Sequence, residues 1–103
     1  MKLKNARKKG YILENETVRF MKSLWCNFRR VGMSGQLEGL KGDFVWTENG
    51  KTYRGESKSG CNVPVWLYKT LEKDQNDFLV IKRDRKERLW VFTDKLVKDL
   101  VEA

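Results

Sequence analysis

"DFVWTENGKTYRGESK", residues 43–58, carries the clearest local signal in the chain. Two alternating runs flank Asn49-Gly50, a dipeptide that suits a two-residue hairpin turn because both positions tolerate positive φ. A two-residue loop fixes the pairing register. Glu48 then faces Lys51, Trp46 faces Tyr53, Phe44 faces Gly55 and Asp43 faces Glu56. Strand side chains alternate between faces. Asp43, Glu56 and Lys58 are therefore expected on one face, and Phe44, Trp46 and Tyr53 on the other, which is assigned to the core.

That register has an electrostatic consequence. Two carboxylates directly opposed on a sheet repel and destabilise it. A sequence that keeps both needs a compensating cation. Lys58 supplies one positive charge, and a divalent metal would supply more. Oxygen ligands suit Mg2+ or Mn2+ better than zinc. Beside a metal, Lys58 can hold and help deprotonate an attacking water and steady charge on a phosphate. The small neighbours Gly55, Ser57, Ser59 and Gly60 read as clearance for a phosphate backbone. The plainer alternative is a solvated ladder of mixed surface charges.

On the N-terminal side, a basic arm over residues 1–9 leads into a helical pattern from about Tyr11 to Trp25. Val18, Met21 and Trp25 fall on one stripe. Glu14 lies four residues before Val18 and continues that stripe. It is either a core-side acid, costly unless paired or metal-bound, or part of a polar first turn that suits the helix dipole. "CNFRRV" reads as a short strand. "GMSGQLEGLKG", residues 32–42, holds four glycines in eleven residues and reads as a loop without the spacing of a phosphate cradle.

On the C-terminal side, "VPVWLYKTLEKDQ" reads as a helix with Pro64 in its first turn. "DFLVIK" and "RLWVFT" read as strands joined by the charged "RDRKE". "DKLVKDLVEA" closes as an amphipathic helix capped by Thr93 or Asp94. Trp66 and Tyr68 belong either to the core or to a dimer patch, since aromatics are enriched at interface cores. The order is helix, strand, hairpin, helix, two strands, helix. It predicts an α/β fold with a central mixed sheet flanked by helices.

The 103 residues suit one domain. Lysine and arginine number 22 against 14 acids, a formal charge of +8. So basic a small chain is drawn to a polyanion, with nucleic acid the first candidate. Lys4, Arg7, Lys8 and Lys9 in the arm, with Arg29 and Arg30 before the glycine loop, are candidate phosphate contacts. The sequence has no histidine, which excludes histidine-based triads, HExxH zinc sites and nucleases with a histidine base. Cys26 and Cys61 form no CxxC and read as free thiols in a reducing compartment. No apolar run reaches the roughly 18 residues of a membrane span. The N-terminal charges lack a following apolar stretch, so a soluble, cytoplasmic protein with no membrane partner is expected.

The pattern Glu14, Gly42-Asp43, Glu56-Ser57-Lys58 resembles the PD-(D/E)XK nuclease superfamily, in which an acid on the preceding helix joins an Asp and a Glu-x-Lys across a hairpin. The chain is most similar to archaeal-type and phage-encoded Holliday junction resolvases, through "RKKGYILENETVRFM" and "RRVGMSGQLEGLKGDF". The resemblance runs from about Arg7 to Asp94. It implies a restriction-endonuclease-like core. It implies that Glu14, Asp43 and Glu56 bind Mg2+, helped by the Ser57 carbonyl, while Lys58 orients the nucleophilic water. Ser34, with Gly35 beside it, would contact the scissile phosphate. The chain departs from the pattern at Gly42, where the superfamily name has proline, and at Asn15, where such resolvases tend to carry a basic residue. The expectation is thus a homodimeric Mg2+-dependent endonuclease on branched DNA, without an organic cofactor. The alternatives are a sister nuclease acting on duplex, flap or single-stranded DNA, and a non-catalytic nucleic-acid-binding domain.

Overall fold

The computed structural model describes residues 2–31 and 42–103, with side chains described from Gly10 onward. The chain divides into two compact units, Met1–Asn62 and Val63–Ala103. The order of elements is the expected one, and the fold is mixed α/β. The strands form two antiparallel sheets, of three and two strands, where a single mixed sheet was expected. Every ladder joins strands that follow one another in the chain, and such pairs form before a longer parallel crossover can.

In the first unit, α1 spans Lys2–Ser23, so the basic arm is the start of the helix rather than a segment before it. The helix ends in a Schellman arrangement. The N–H of Cys26 reaches the carbonyl of Met21 at 3.2 Å, and the N–H of Trp25 reaches that of Lys22 at 3.0 Å. Trp25 holds the left-handed position with φ of 64°, a place usually taken by glycine. The turn carries its side chain off the Val18–Met21 stripe, and Trp25 is 95% exposed. The expectation that it extends the apolar stripe fails for this reason.

Strands β1 (Asn27–Arg30), β2 (Phe44–Glu48) and β3 (Lys51–Gly55) form the first sheet, with β2 central. The hairpin register is the expected one from Glu48 opposite Lys51 to Phe44 opposite Gly55. Asn49 and Gly50 both have positive φ, as the two-residue turn requires. Among the described residues, Met21, Leu24, Phe28, Val31, Phe44 and Val45 are the buried apolar ones. Phe28 sits against Phe44 with ring centroids 5.2 Å apart, and against its cross-strand partner Trp46 at 6.1 Å. Tyr53, expected in the core, is half exposed because it lies on the edge strand.

In the second unit, Pro64 is the N-cap of α2 (Val65–Glu72), and its extended φ and ψ suit the residue just outside a helix. Strands β4 (Phe78–Ile81) and β5 (Leu89–Phe92) pair with Phe78 opposite Phe92. α2 packs on β4. Thr93 caps α3 (Asp94–Glu102), its hydroxyl accepting from the N–H of Leu96 at 3.3 Å. The same hydroxyl donates to the carbonyl of Asp77, which ties the helix start to the strand pair. Trp66 and Tyr68 are both exposed. Among the described residues, no helix is long and apolar enough to cross a membrane.

The left-handed Trp25 gives a direct test. An L side chain there costs about 1–2 kcal/mol, and this one buries almost nothing in return. Trp25→Gly is expected to raise unfolding stability by about 1 kcal/mol in denaturant titration, whereas a loss of that size would show that the ring is held by a partner.

Candidate active site

Gly42 sets the geometry. Its φ is +89°, and a Cβ at this position would stand 2.8 Å from the Gly55 carbonyl oxygen. No L side chain fits, and proline, whose ring fixes φ near −65°, fits least. The close approach lets the N–H of Asp43 donate to the Gly55 carbonyl at 2.9 Å, one residue out of step with the ladder below it. On the other side, the N–H of Val31 donates to the Asp43 carbonyl at 2.8 Å, in step with the β1–β2 ladder.

The slip re-aims Asp43. Its Oδ2 accepts from the Ser57 N–H at 2.9 Å and from the Ser57 hydroxyl at 3.1 Å. Its carboxyl is also within hydrogen-bonding reach of Glu14 on α1. Asp43 is therefore not opposed to Glu56. β3 ends at Gly55, and Glu56 lies beyond the ladder, where its carboxylate meets the Lys58 ammonium at 3.4 Å. Both side chains are more than half exposed, so the pair is a loose surface contact. The small residues also have local work. Ser57 holds Asp43, and the Gly55 carbonyl takes the Asp43 N–H.

The two neighbouring carboxyls are driven apart in acidity. Burial, then the hydrogen bond and negative charge of Asp43, push the Glu14 carboxyl above the usual carboxylate range. Arg30 opposes this, its Nε lying 3.7 Å from Glu14 Oε2. The Ser57 backbone N–H holds Asp43 below that range against its own burial, and the Ser57 hydroxyl, Glu14 and the charge of Lys58 help. Asp43 is thus the stronger acid of the pair and Glu14 the weaker.

Arg30 has a second partner. Its guanidinium lies 4.6 Å from the centre of the Tyr11 ring. Hydrogen bonds from Asn15 and then Arg30 lower the Tyr11 phenol below its ordinary pKa. Tyr11 carried no functional expectation from sequence. Its place one helical turn before Asn15 was the available signal.

Of the expected site residues, Glu14, Asp43, Ser57 and Arg30 come together, and Lys58 acts on Asp43 through its charge. Glu56 stands apart with Lys58. Arg29 alternates with Arg30 along β1 and is exposed. Ser34 and Gly35 lie outside the described residues, as do the side chains of Lys4, Arg7, Lys8 and Lys9. Among the described residues, no three His, Cys, Asp or Glu side chains gather closely enough to hold a metal ion. The Glu14–Asp43 pair by itself fits a hard cation. Both donors are oxygen, and a cation would offset the negative charge of Asp43 that weakens Glu14 as an acid.

The chain matches no protein-family model, no curated protein and no solved structure.

The split acidity gives opposite pH signatures in metal-free protein. Asp43, lowered on folding, stabilises the fold above its unfolded pKa, and this is lost as pH falls through its folded value. Glu14, raised on folding, stabilises the fold below its unfolded pKa, and this is lost as pH rises through its folded value. In EDTA, native protein should lose stability as pH climbs above the ordinary glutamate range, and Glu14→Gln should not. Parallel denaturation curves for the two proteins across that range would refute the raised Glu14 carboxyl.

Proposed function

We propose that the chain is a divalent-metal-dependent DNA endonuclease of the PD-(D/E)XK type, acting on branched DNA as a resolvase. The reading includes a restriction-endonuclease-like core. Its main support is the side-by-side placing of Glu14 and Asp43, brought from a helix and a strand end, with the Lys58 charge acting on Asp43. Two carboxyls placed side by side, one of them weakened as an acid by the other, are a costly arrangement for a purely structural purpose. The net charge of +8 supports a polyanionic substrate.

The residues divide the work as follows. Asp43, ionised and fixed by two hydrogen bonds from Ser57, is the primary ligand. Glu14 would be the second ligand. Glu56 leaves its surface contact with Lys58 to complete the set, with the Ser57 carbonyl available beside it. A bound Mg2+ or Mn2+ would supply positive charge at the scissile phosphate and Lewis acidity for activating a water. Lys58, freed from Glu56, orients the attacking water and takes up charge developing on the phosphate oxygens. Ser34 and Gly35 are assigned to the phosphate on the strength of the resemblance. A resolvase acts on two strands of one junction, so a homodimer is part of the proposal.

The test is cleavage of a four-way junction, a linear duplex and a single strand, each with Mg2+ and with EDTA. Native protein should make paired nicks in the junction only when Mg2+ is present. Asp43→Asn and Lys58→Ala should lose about 10²-fold or more in rate while still binding the junction. Metal-independent binding without cutting would identify a nucleic-acid-binding domain instead. Equal cutting of all three substrates would identify a sister nuclease.

A further inference from the structure

Outside the carboxylate pair, the described part of the first unit has a shallow, largely open cleft lined by Asn15, Val18, Arg19, Lys22 and Arg30. Four of these lie on α1 with the i, i+3, i+4, i+7 spacing of a single helix face. The fifth comes from β1. The lining holds three cations, an amide and no acid.

Helix electrostatics explain only part of this. A cation in the last turn of a helix complements the dipole there, which accounts for Lys22. It does not account for Arg30, which reaches the same cleft from a strand. Nor does it account for Arg19 lying one turn from Lys22, where like charges repel. Among the described residues, neither Arg19 nor Lys22 is ion-paired, although the chain carries 14 acids. Three cations converging on an acid-free concavity lower their mutual repulsion when an anion enters. Arginine forks and an amide donor match phosphate oxygens in particular.

Arg30 joins this cleft to the carboxylate site. Its Nε faces Glu14 at 3.7 Å, its guanidinium lies over Tyr11, and it also lines the cleft. An anion in the cleft would therefore sit beside the Glu14–Asp43 pair without occupying it.

We propose that this cleft seats a backbone phosphate of the DNA strand next to the one being cut, held by Arg19, Lys22, Arg30 and Asn15. The assignment rests on the nuclease reading for the identity of the polyanion, but it concerns binding and is tested without cleavage. Arg19 and Lys22 are exposed, and neither belongs to the carboxylate site or the buried core. Their removal leaves the fold and the metal ligands in place.

The experiment measures junction binding by fluorescence anisotropy in EDTA over a series of salt concentrations. It compares native protein, the Arg19→Ala/Lys22→Ala double variant and a charge-matched Lys95→Ala/Lys98→Ala control on α3. Each phosphate contact contributes about 0.9 to the slope of log affinity against log salt. The cleft variant should lose about one unit or more of slope, and the control should match native protein. Unchanged slope and affinity in the cleft variant would overturn the inference. Equal losses in the two variants would also overturn it, by showing a bulk charge effect. Native protein that binds no DNA would remove both the cleft assignment and the nuclease reading. A cleft-dependent slope in a protein that cuts nothing with Mg2+ would support the phosphate seat while the nuclease reading fails.

Discussion

The first unit turns on one backbone contact, the approach of Gly42 to the Gly55 carbonyl. It forces the chain through positive φ just before β2 and moves the last inter-strand bond one residue out of step. Asp43 is then fixed at both backbone polar groups, by Gly55 on one side and Val31 on the other. Its carboxylate takes two further bonds from Ser57. A residue so constrained at the end of a central strand cannot relax away from a neighbouring acid. Glu14 must respond, and its carboxyl is pushed above the usual carboxylate range.

This arrangement makes the site electrically unfinished rather than balanced. Arg30 is the cation nearest Glu14, yet it is shared with the Tyr11 ring and partly exposed. It lowers the cost of the carboxyl pair without abolishing the upward push on Glu14. Lys58 acts on Asp43 at a distance while its ammonium contacts Glu56. A protein that needed only stability could replace one of the two acids by an amide and remove the repulsion while keeping the hydrogen bond. Retaining both acids next to a cationic cleft is consistent with a site completed by something from outside.

Local chemistry was legible in the sequence where one residue type dictates one backbone state. Asn49-Gly50 announced the hairpin and its register, and Thr93 announced the start of α3. The slip at Asp43 was not legible because it depends on a contact between two glycines thirteen positions apart. Counting outward from the turn therefore carried the register one pair too far. Trp25 misled because helix ends in the left-handed state usually carry glycine, so a tryptophan at helical spacing reads as core. Tyr53 misled because alternation identifies a face but not whether the strand is central or at an edge. The candidate site divides the same way. Its residue types were readable from the pattern, but Asp43 facing Glu14 rather than Glu56 follows from tertiary geometry.

In the proposed site, the contact that Glu56 would have to give up is a weak one. Glu56 and Lys58 are held to each other only by an exposed ion pair, the class worth about 0–1 kcal/mol. Both lie past the end of β3, so turning either side chain breaks no ladder bond. Asp43, by contrast, is held by four hydrogen bonds counting backbone and side chain. The rigid member of the set is thus the one whose position fixes the site. The loose members, Glu56 and Lys58, are those that the proposed function would have exchange a surface contact for a metal and a phosphate. That division favours binding energy from metal and substrate being used to assemble the site, because only the cheapest contact in it has to break.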